Sequence, residues 1–353
     1  MAFTMENMPD IIQATEADLG ENRLTELATH LQDYYAARFF KNKRAYTGRQ
    51  IEFFFRHKTS MNARMVTPLS SDQVNVDDTI SKGNVPFRHA EGSYLIELNE
   101  MKANSGKRQL LDLVQRRRTD CLIDMAELLE KQLWGSASDT DKDAFGIQYW
   151  LRPSATKGWN GGNHPNHANG PANINSNTYP AWRNWTDTYA SFDVSSPTGV
   201  SAVLEEAMYA TRFVPPAGTK MPDYELSGGN ALYMTYPTHE LIKRGLIQAN
   251  DAVGWDVAGP AITYKGATMD AVPALDSTHN RGGMFDASIT EEQQNIIYGI
   301  NHRTWHSAVL SGVDMITTPV PNVPNHRCTT TFYDLTYNNV CMDRSRNFVL
   351  YKV

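Results

Sequence analysis

The sequence predicts an α+β fold, and three observations carry this prediction. Segments with apolar residues at helical spacing are mixed with segments of strand type, the strands mostly lack strict alternation, and no internal repeat is present. Together these features favour α+β over a β-sandwich or a doubly wound sheet. With 353 residues, of which 41% are hydrophobic and 20% charged, the chain is long enough for a sizeable core and about two domains.

The first predicted element is an amphipathic helix within residues 22–46. Leu24, Leu27, Leu31 and Phe39 recur at spacings of three and four, which places them on one helical face. Asn22 or Thr25 is the expected N-cap.

Two strands are predicted next, at residues 51–55 and 94–98, with a polar, turn-rich segment between them. If they pair as a long hairpin, arms of roughly 20 residues reach about 60 Å. A two-stranded ribbon is barely stable alone in water. The hairpin is therefore expected to need a partner surface, most simply another copy of the chain.

A long helix is predicted over residues 105–134, with Ser105 as N-cap and Gly135 as C′. About 28 residues give a rod of roughly 42 Å. Its apolar residues lie near one face: Leu111, Val114, Leu122, Met125, Leu129 and Leu133. Arg116, Arg117 and Arg118 point about 100° apart, so we interpret them as solvated or interface-facing rather than as a nucleic-acid patch.

The C-terminal half predicts helices within residues 197–214 and 239–247, followed by strands. The strands are expected within residues 261–275, 294–301, 307–320, 327–339 and 344–353.

The segment "GPANINSNTYPAWRNW", residues 170–185, combines a loop-forming first half with a strongly aromatic second half. One hypothesis is a carbohydrate-active enzyme or binding protein that stacks sugars on Trp159, Trp182 and Trp185. The other is a structural joint, in which Tyr179, Trp182 and Trp185 are buried anchors and Arg183 and Asn184 form hydrogen bonds within or between subunits. The position of the loop, between the long helix and the helix of residues 197–214, favours the joint.

Candidate metal and nucleotide sites are weak, so the sequence predicts no catalytic residue, cofactor or metal. Asp139, Asp141 and Asp143 begin like a calcium loop, but the sixth and twelfth positions hold Ala144 and Trp150. His302 and His306 have zinc-protease spacing but lack the adjacent glutamate, and His164 and His167 have no carboxylate or thiolate nearby. No phosphate-binding or nucleophile-elbow motif occurs. A pair of glycosidase carboxylates leaves no local signature and stays open.

Charge and targeting features exclude several further classes. The formal net charge of -6 does not support general attraction to nucleic acid. The N-terminus lacks a secretory pattern and no apolar run approaches the roughly 18 residues of a membrane helix, so no membrane partner is expected. Cys121, Cys328 and Cys341 are expected to be reduced thiols.

The order of these elements resembles the major capsid proteins of tailed bacteriophages, the Hong Kong 97-like fold, over nearly the whole chain. Three segments carry the match: "TYPAWRNWTD", "IIYGINHRTWHSAVLSGVDMITT" and "NNVCMDRSRNFVLYKV". The resemblance implies an N-terminal arm at residues 1–47 and an extended loop at 48–98. It also implies a peripheral domain at 99–200 and 316–353, with its spine helix at 105–134, and an axial domain at 201–315.

The function implied by the resemblance is structural and non-enzymatic. Hexamers and pentamers of the chain would assemble into an icosahedral virion shell in the host cytoplasm and enclose double-stranded DNA without sequence-specific contacts. Scaffold, portal and decoration or cement proteins are the implied partners, and an encapsulin-like cellular shell has the same architecture. Some relatives crosslink through lysine and asparagine; Lys58 and Lys82 lie in the extended loop, but no partner position can be matched.

Overall fold

The structure is a computed structural model that describes most of the chain. The described residues are 34–58, 79–97, 107–135, 142–165, 169–193, 196–213, 229–249, 262–275, 295–320 and 328–353, with positions 65, 67–68, 99–100 and 167 between them. Predictions for residues 1–33, the N-cap Ser105, and Asp139 and Asp141 lie outside these ranges.

The helices of the described part are α1 (Ala36–Phe40), α2 (Lys107–Trp134), the single turn α3 (Ile147–Trp150), α4 (Val200–Ala210) and α5 (Tyr236–Ala249). The first strands are β1 (Arg44–Tyr46), β2 (Gln50–Arg56), β3 (Ile80–Pro86), β4 (Arg88–Glu97), β5 (Gly158–Gly161) and β6 (Asn184–Tyr189). The remaining strands are β7 (Asn230–Met234), β8 (Ile262–Tyr264), β9 (Ala267–Ala271), β10 (Ile297–Asn301), β11 (Trp305–Val320), β12 (Cys328–Cys341) and β13 (Phe348–Lys352).

A seven-stranded sheet with the order β5-β6-β13-β10-β7-β9-β8 forms the centre of the fold. Its central strands β7 and β10 are buried on both faces, as expected for a sheet covered on both sides. In β7, Ala231 and Tyr233 belong to the hydrophobic cluster that includes α2, whereas Leu232 and Met234 pack in a second cluster with α4 and α5. The sheet combines strands from both sides of the predicted domain boundaries.

A four-stranded sheet with the order β1-β11-β12-β4 lies beside α2. Strand β12 pairs antiparallel with both β11 and β4, and β1 joins the free edge of β11 in parallel. Along α2, Val114, Leu122, Met125, Leu129 and Leu133 are buried, so the apolar face predicted from the sequence is confirmed for these residues.

The predicted pairing of residues 51–55 with 94–98 is wrong. Strand β2 pairs instead with β3, from Gln50 opposite Pro86 to Arg56 opposite Ile80, whereas β4 pairs over ten residues with β12. The sequence of β3, "ISKGNVP", resembles a turn because it contains glycine, asparagine and proline. In the fold, only Gly83 and Val85 of this strand are buried. Strand β4 pairs with the central strand β12 and packs against α2, and a two-stranded ribbon would offer neither contact.

Two predictions near the helices are also corrected. The helix expected up to residue 46 ends at Phe40 because residues Arg44–Tyr46 pair with Ala308–Leu310. Arg116 and Arg117 are exposed, but Arg118 is only 2% exposed. Since neighbouring helical positions differ by about 100°, Arg118 falls on the packed side with Val114 and Leu122.

The three cysteines are buried and form no disulfide among the described residues, as expected for thiols. Among the described helices, none combines the length and apolar character that crossing a membrane requires.

Candidate assembly surfaces

The loop at residues 170–182 is built from two short 3-10 turns, Pro171–Asn173 and Pro180–Trp182. Gly170 begins the first turn with φ +80°, and a side chain there would collide with the carbonyl of Ile174. The backbone N–H of Ala172 donates to the Tyr149 hydroxyl at 3.0 Å. Local turn chemistry and hydrogen bonds to Tyr149 and Asn163 therefore set the path of the loop.

Trp182 supports the base of the β2–β3 hairpin. Its side chain is 3% exposed, and its ring centroid lies 4.9 Å from that of Phe55 and 6.0 Å from that of Phe53. Tyr179, which is partly buried, packs edge-on against Phe55 at 5.7 Å and against His57 at 4.8 Å. The inner face of the hairpin is therefore packed on this chain's own aromatic loop.

Arg344 holds the other side of Trp182. The guanidinium is completely buried and donates to the carbonyls of Trp150 (2.5 Å) and Gly162 (3.0 Å) and to Asn184 Oδ1 (3.1 Å). Its Cζ lies 6.0 Å from the Trp182 ring centroid. Burial lowers the pKa of Arg344 to about 10. This one side chain joins the turn before β13 to α3, β5 and β6.

The other predicted loop residues make contacts within the chain. Arg183 Nε donates to the Ser176 carbonyl at 3.0 Å and Arg183 Nη2 to Asn177 Oδ1 at 3.2 Å. Asn184 is buried and exchanges hydrogen bonds with the backbone of Arg152 at 3.0 and 3.2 Å. The loop is thus closed on itself and tied to the segment after α3.

The sugar-stacking hypothesis requires exposed indole faces, and the three tryptophans do not share that property. Trp182 lies under the hairpin, Trp185 is partly buried, and Trp159 is 39% exposed and meets Trp185 edge-on at 5.4 Å. Trp182 is therefore not available as a stacking platform.

The outer face of the hairpin presents apolar surface to solvent. Phe54 is 71% and Ile80 56% exposed, and they are diagonal neighbours because Phe54 faces Lys82 and Arg56 faces Ile80. Beside them, Lys82 Nζ and Glu52 Oε2 form an ion pair at 2.5 Å. A large exposed aromatic residue beside an aliphatic one on a narrow ribbon is typical of a contact surface. The alternation "IEFFFR" contained the signal for Phe54, since the middle of three consecutive phenylalanines must point away from its neighbours.

Both predicted histidine pairs have structural surroundings: His164 and His167 pack on the Tyr149 ring, with centroids 6.4 and 4.8 Å away. His302 Nε2 lies 2.7 Å from the Tyr233 hydroxyl and His306 Nε2 lies 2.8 Å from that of Tyr46. Burial lowers the pKa of both imidazoles to about 3, so they are neutral at pH 7. Within the part of the chain that the structure covers, no three His, Cys, Asp or Glu side chains are grouped to hold a metal ion.

Known structures share this architecture at low sequence identity. A chain of the cyanophage A-1(L) capsid asymmetric unit matches with a TM-score of 0.59 and 12% identity, over 89% of this chain and 90% of that one. A chain from the capsid of a native GTA particle matches with a TM-score of 0.52 and 12% identity, over 88% of both chains. No protein-family model and no curated protein sequence matches. The α+β class and the Hong Kong 97-like fold predicted from the sequence are confirmed.

Proposed function

We propose that this chain is a major capsid protein of a tailed bacteriophage, a structural and non-enzymatic protein. Its copies assemble as hexamers and pentamers into an icosahedral virion shell, formed in the host cytoplasm, that encloses double-stranded DNA without sequence-specific contacts. Scaffold, portal and decoration proteins are the proposed partners besides the chain itself. The observation that carries the proposal is the fold, which it has in common with two capsid chains over about nine-tenths of each length.

The hairpin supports this proposal in physical terms. Its inner face is buried on the aromatic loop, so the orientation of the hairpin is fixed within the subunit, while Phe54 and Ile80 face outward. Fixing an arm before association lowers the entropy lost on binding. Repeated copies of one chain bury such surfaces through symmetric contacts.

The proposed division of the chain rests on the resemblance of its sequence to this family, and β4 within the extended loop joins the four-stranded sheet beside α2. Residues 1–47 form the N-terminal arm, 48–98 the extended loop, 99–200 and 316–353 the peripheral domain, and 201–315 the axial domain. In this division the anchor loop with Tyr179, Trp182, Arg183 and Trp185 holds the extended loop at its base.

Deletion of the residues between β2 and β3 tests the proposal. Residues 59–78 are replaced by a short Gly-Ser linker, which keeps both described strands and their contacts with Trp182. We expect a folded subunit with unchanged circular dichroism that no longer sediments as shells. A deletion variant that forms shells as well as the wild type would contradict the role of the extended loop.

The nucleic-acid content of purified shells distinguishes a phage capsid from an encapsulin-like cellular shell. Shells isolated from lysed host cells are expected to protect double-stranded DNA from nuclease. Shells that hold a protein cargo and no DNA would favour the encapsulin-like alternative.

A further inference from the structure

A small basic cavity lies where the N-terminal segment meets the seven-stranded sheet. Its volume is about 230 Å³, enough for a small anion with its first waters. The side chains and backbone that form its wall come from α1, β7, β9 and the turn before β11; they include Arg38, Lys41, Gly229, Gly266, Thr268 and His302.

Two cations border this cavity. Lys41 is exposed, and Arg38 has 42% of its side chain exposed. The hydrogen bonds of Arg38 to Asp270 (2.5 Å), Thr268 (3.3 Å) and Tyr233 (3.4 Å) all use Nη1. Within the described ranges, Nε and Nη2 of Arg38 and Nζ of Lys41 make no hydrogen bond with protein. Asp270 balances one charge, so the wall keeps an excess of about one positive charge.

His302 is part of the same wall and is almost wholly buried. Its side chain is 4% exposed, and Nδ1 has no hydrogen-bond partner among the described residues. The Tyr233 hydroxyl lies between the two side chains, 3.4 Å from Arg38 Nη1 and 2.7 Å from His302 Nε2. Buried polar atoms without a partner are costly and call for an explanation.

The two glycines leave the cavity open. A β-carbon built on Gly229 or Gly266 would meet no atom within 4 Å, and Gly266 has φ +85°. Backbone can therefore approach a ligand there without a side chain between them.

We propose that this cavity binds a phosphate group. Lys41 Nζ and the free edge of Arg38 supply several donors beside the cavity, which suits an anion with several oxygens better than a two-oxygen carboxylate. The phosphate is either free in solution or part of a nucleic acid backbone, and the same donors serve both.

Calorimetric titration of the purified chain with inorganic phosphate, at constant ionic strength, tests the proposal. The variant Lys41→Met keeps the aliphatic stem and removes the charge, whereas Lys131→Met removes an exposed lysine of α2 that does not line the cavity. We expect one phosphate per wild-type chain, binding weakened at least about tenfold in K41M, and unchanged binding in K131M. Equal affinities for wild type and K41M, or no saturable binding by the wild type, would overturn the proposal.

Two further probes identify the ligand. Acetate presents a carboxylate of similar charge, and binding as tight as that of phosphate would refute the phosphate assignment. A short single-stranded oligonucleotide whose binding is weakened by K41M but not K131M would support a nucleic acid backbone as the source. An oligonucleotide that does not compete with phosphate would support the free ion.

Discussion

Acid should weaken the folded subunit through two buried histidines. Burial lowers the pKa of His302 and of His306 to about 3, whereas an unfolded histidine titrates near 6.5. Between these values the unfolded chain binds more protons than the folded chain, so stability is present above about pH 6.5 and is lost as the pH falls toward 3.

The size of this effect follows from the two pKa values. Each histidine contributes up to about 1.4 kcal/mol per pH unit below 6.5, or about 2 kcal/mol between pH 7 and pH 5. Two histidines together give about 4 kcal/mol, a large share of the roughly 5–15 kcal/mol that stabilises a typical domain. Glu130 acts in the opposite direction, because burial raises its pKa and favours its protonation in the folded state.

Both histidines contact the N-terminal segment, so this segment is where acid is expected to destabilise the fold first. The Phe39 ring packs on His302 at 4.8 Å, and Tyr46 bonds and stacks with His306. Charging either imidazole places an uncompensated cation against this segment, with Arg38 and Arg44 contributing further positive potential. Residues 36–46 should therefore be released before the rest of the subunit.

Urea unfolding followed by tryptophan fluorescence at pH 7, 6 and 5 measures the effect. The variants His302→Gln and His306→Gln keep a hydrogen-bonding side chain but do not titrate, so each should remove about half of the pH dependence. A wild-type unfolding free energy that stays constant from pH 7 to 5 would refute the reasoning. The reasoning would also be refuted if the unfolding free energy of the double variant depended on pH as steeply as that of the wild type.

Three other predictions concern the aromatic loop and the hairpin. Arg344→Met should lower the unfolding free energy by about 3–5 kcal/mol because several buried acceptors lose their donor, whereas Arg346→Met, at a side chain that is 23% exposed, should cost under about 1 kcal/mol; equal losses in urea titrations would contradict the role of Arg344. Trp182→Ala should cost about 3–5 kcal/mol and make the hairpin sensitive to limited proteolysis; unchanged cleavage would count against its support of the hairpin. Phe54→Ser should change stability by less than about 0.5 kcal/mol yet reduce the shell yield in sedimentation, with Phe54→Tyr as control; normal yield from the serine variant would exclude Phe54 as a contact.

The long helix and the C-terminal strands were predictable because their signals are local. The apolar residues of α2 recur at spacings close to whole helical turns, and β10 and β13 are short apolar runs bounded by polar turns. The pairing of strands was not predictable, since β4 meets β12 across more than two hundred residues of sequence. Strand β3 was missed because its glycine and proline outweigh its single buried apolar side chain.

For the loop at residues 170–182, the sequence likewise indicated the local features but not the long-range contacts. Its aromatic content marked Tyr179 and Trp182 as important, and the sequence placed them between two helices. The fully buried Arg344 beneath Trp182 gave no signal, because an arginine in "DRSRNF" looks like a solvated turn residue. Only the fold brings Trp150, Asn184 and Arg344 together.

Electron microscopy of the purified full-length chain, alone and after coexpression with the protein encoded beside it, tests the central claim most directly. The proposed function predicts closed icosahedral shells, or separate rings of five and six subunits that convert into shells. A chain that stays monomeric under every assembly condition, with the coexpressed partner present, would contradict it.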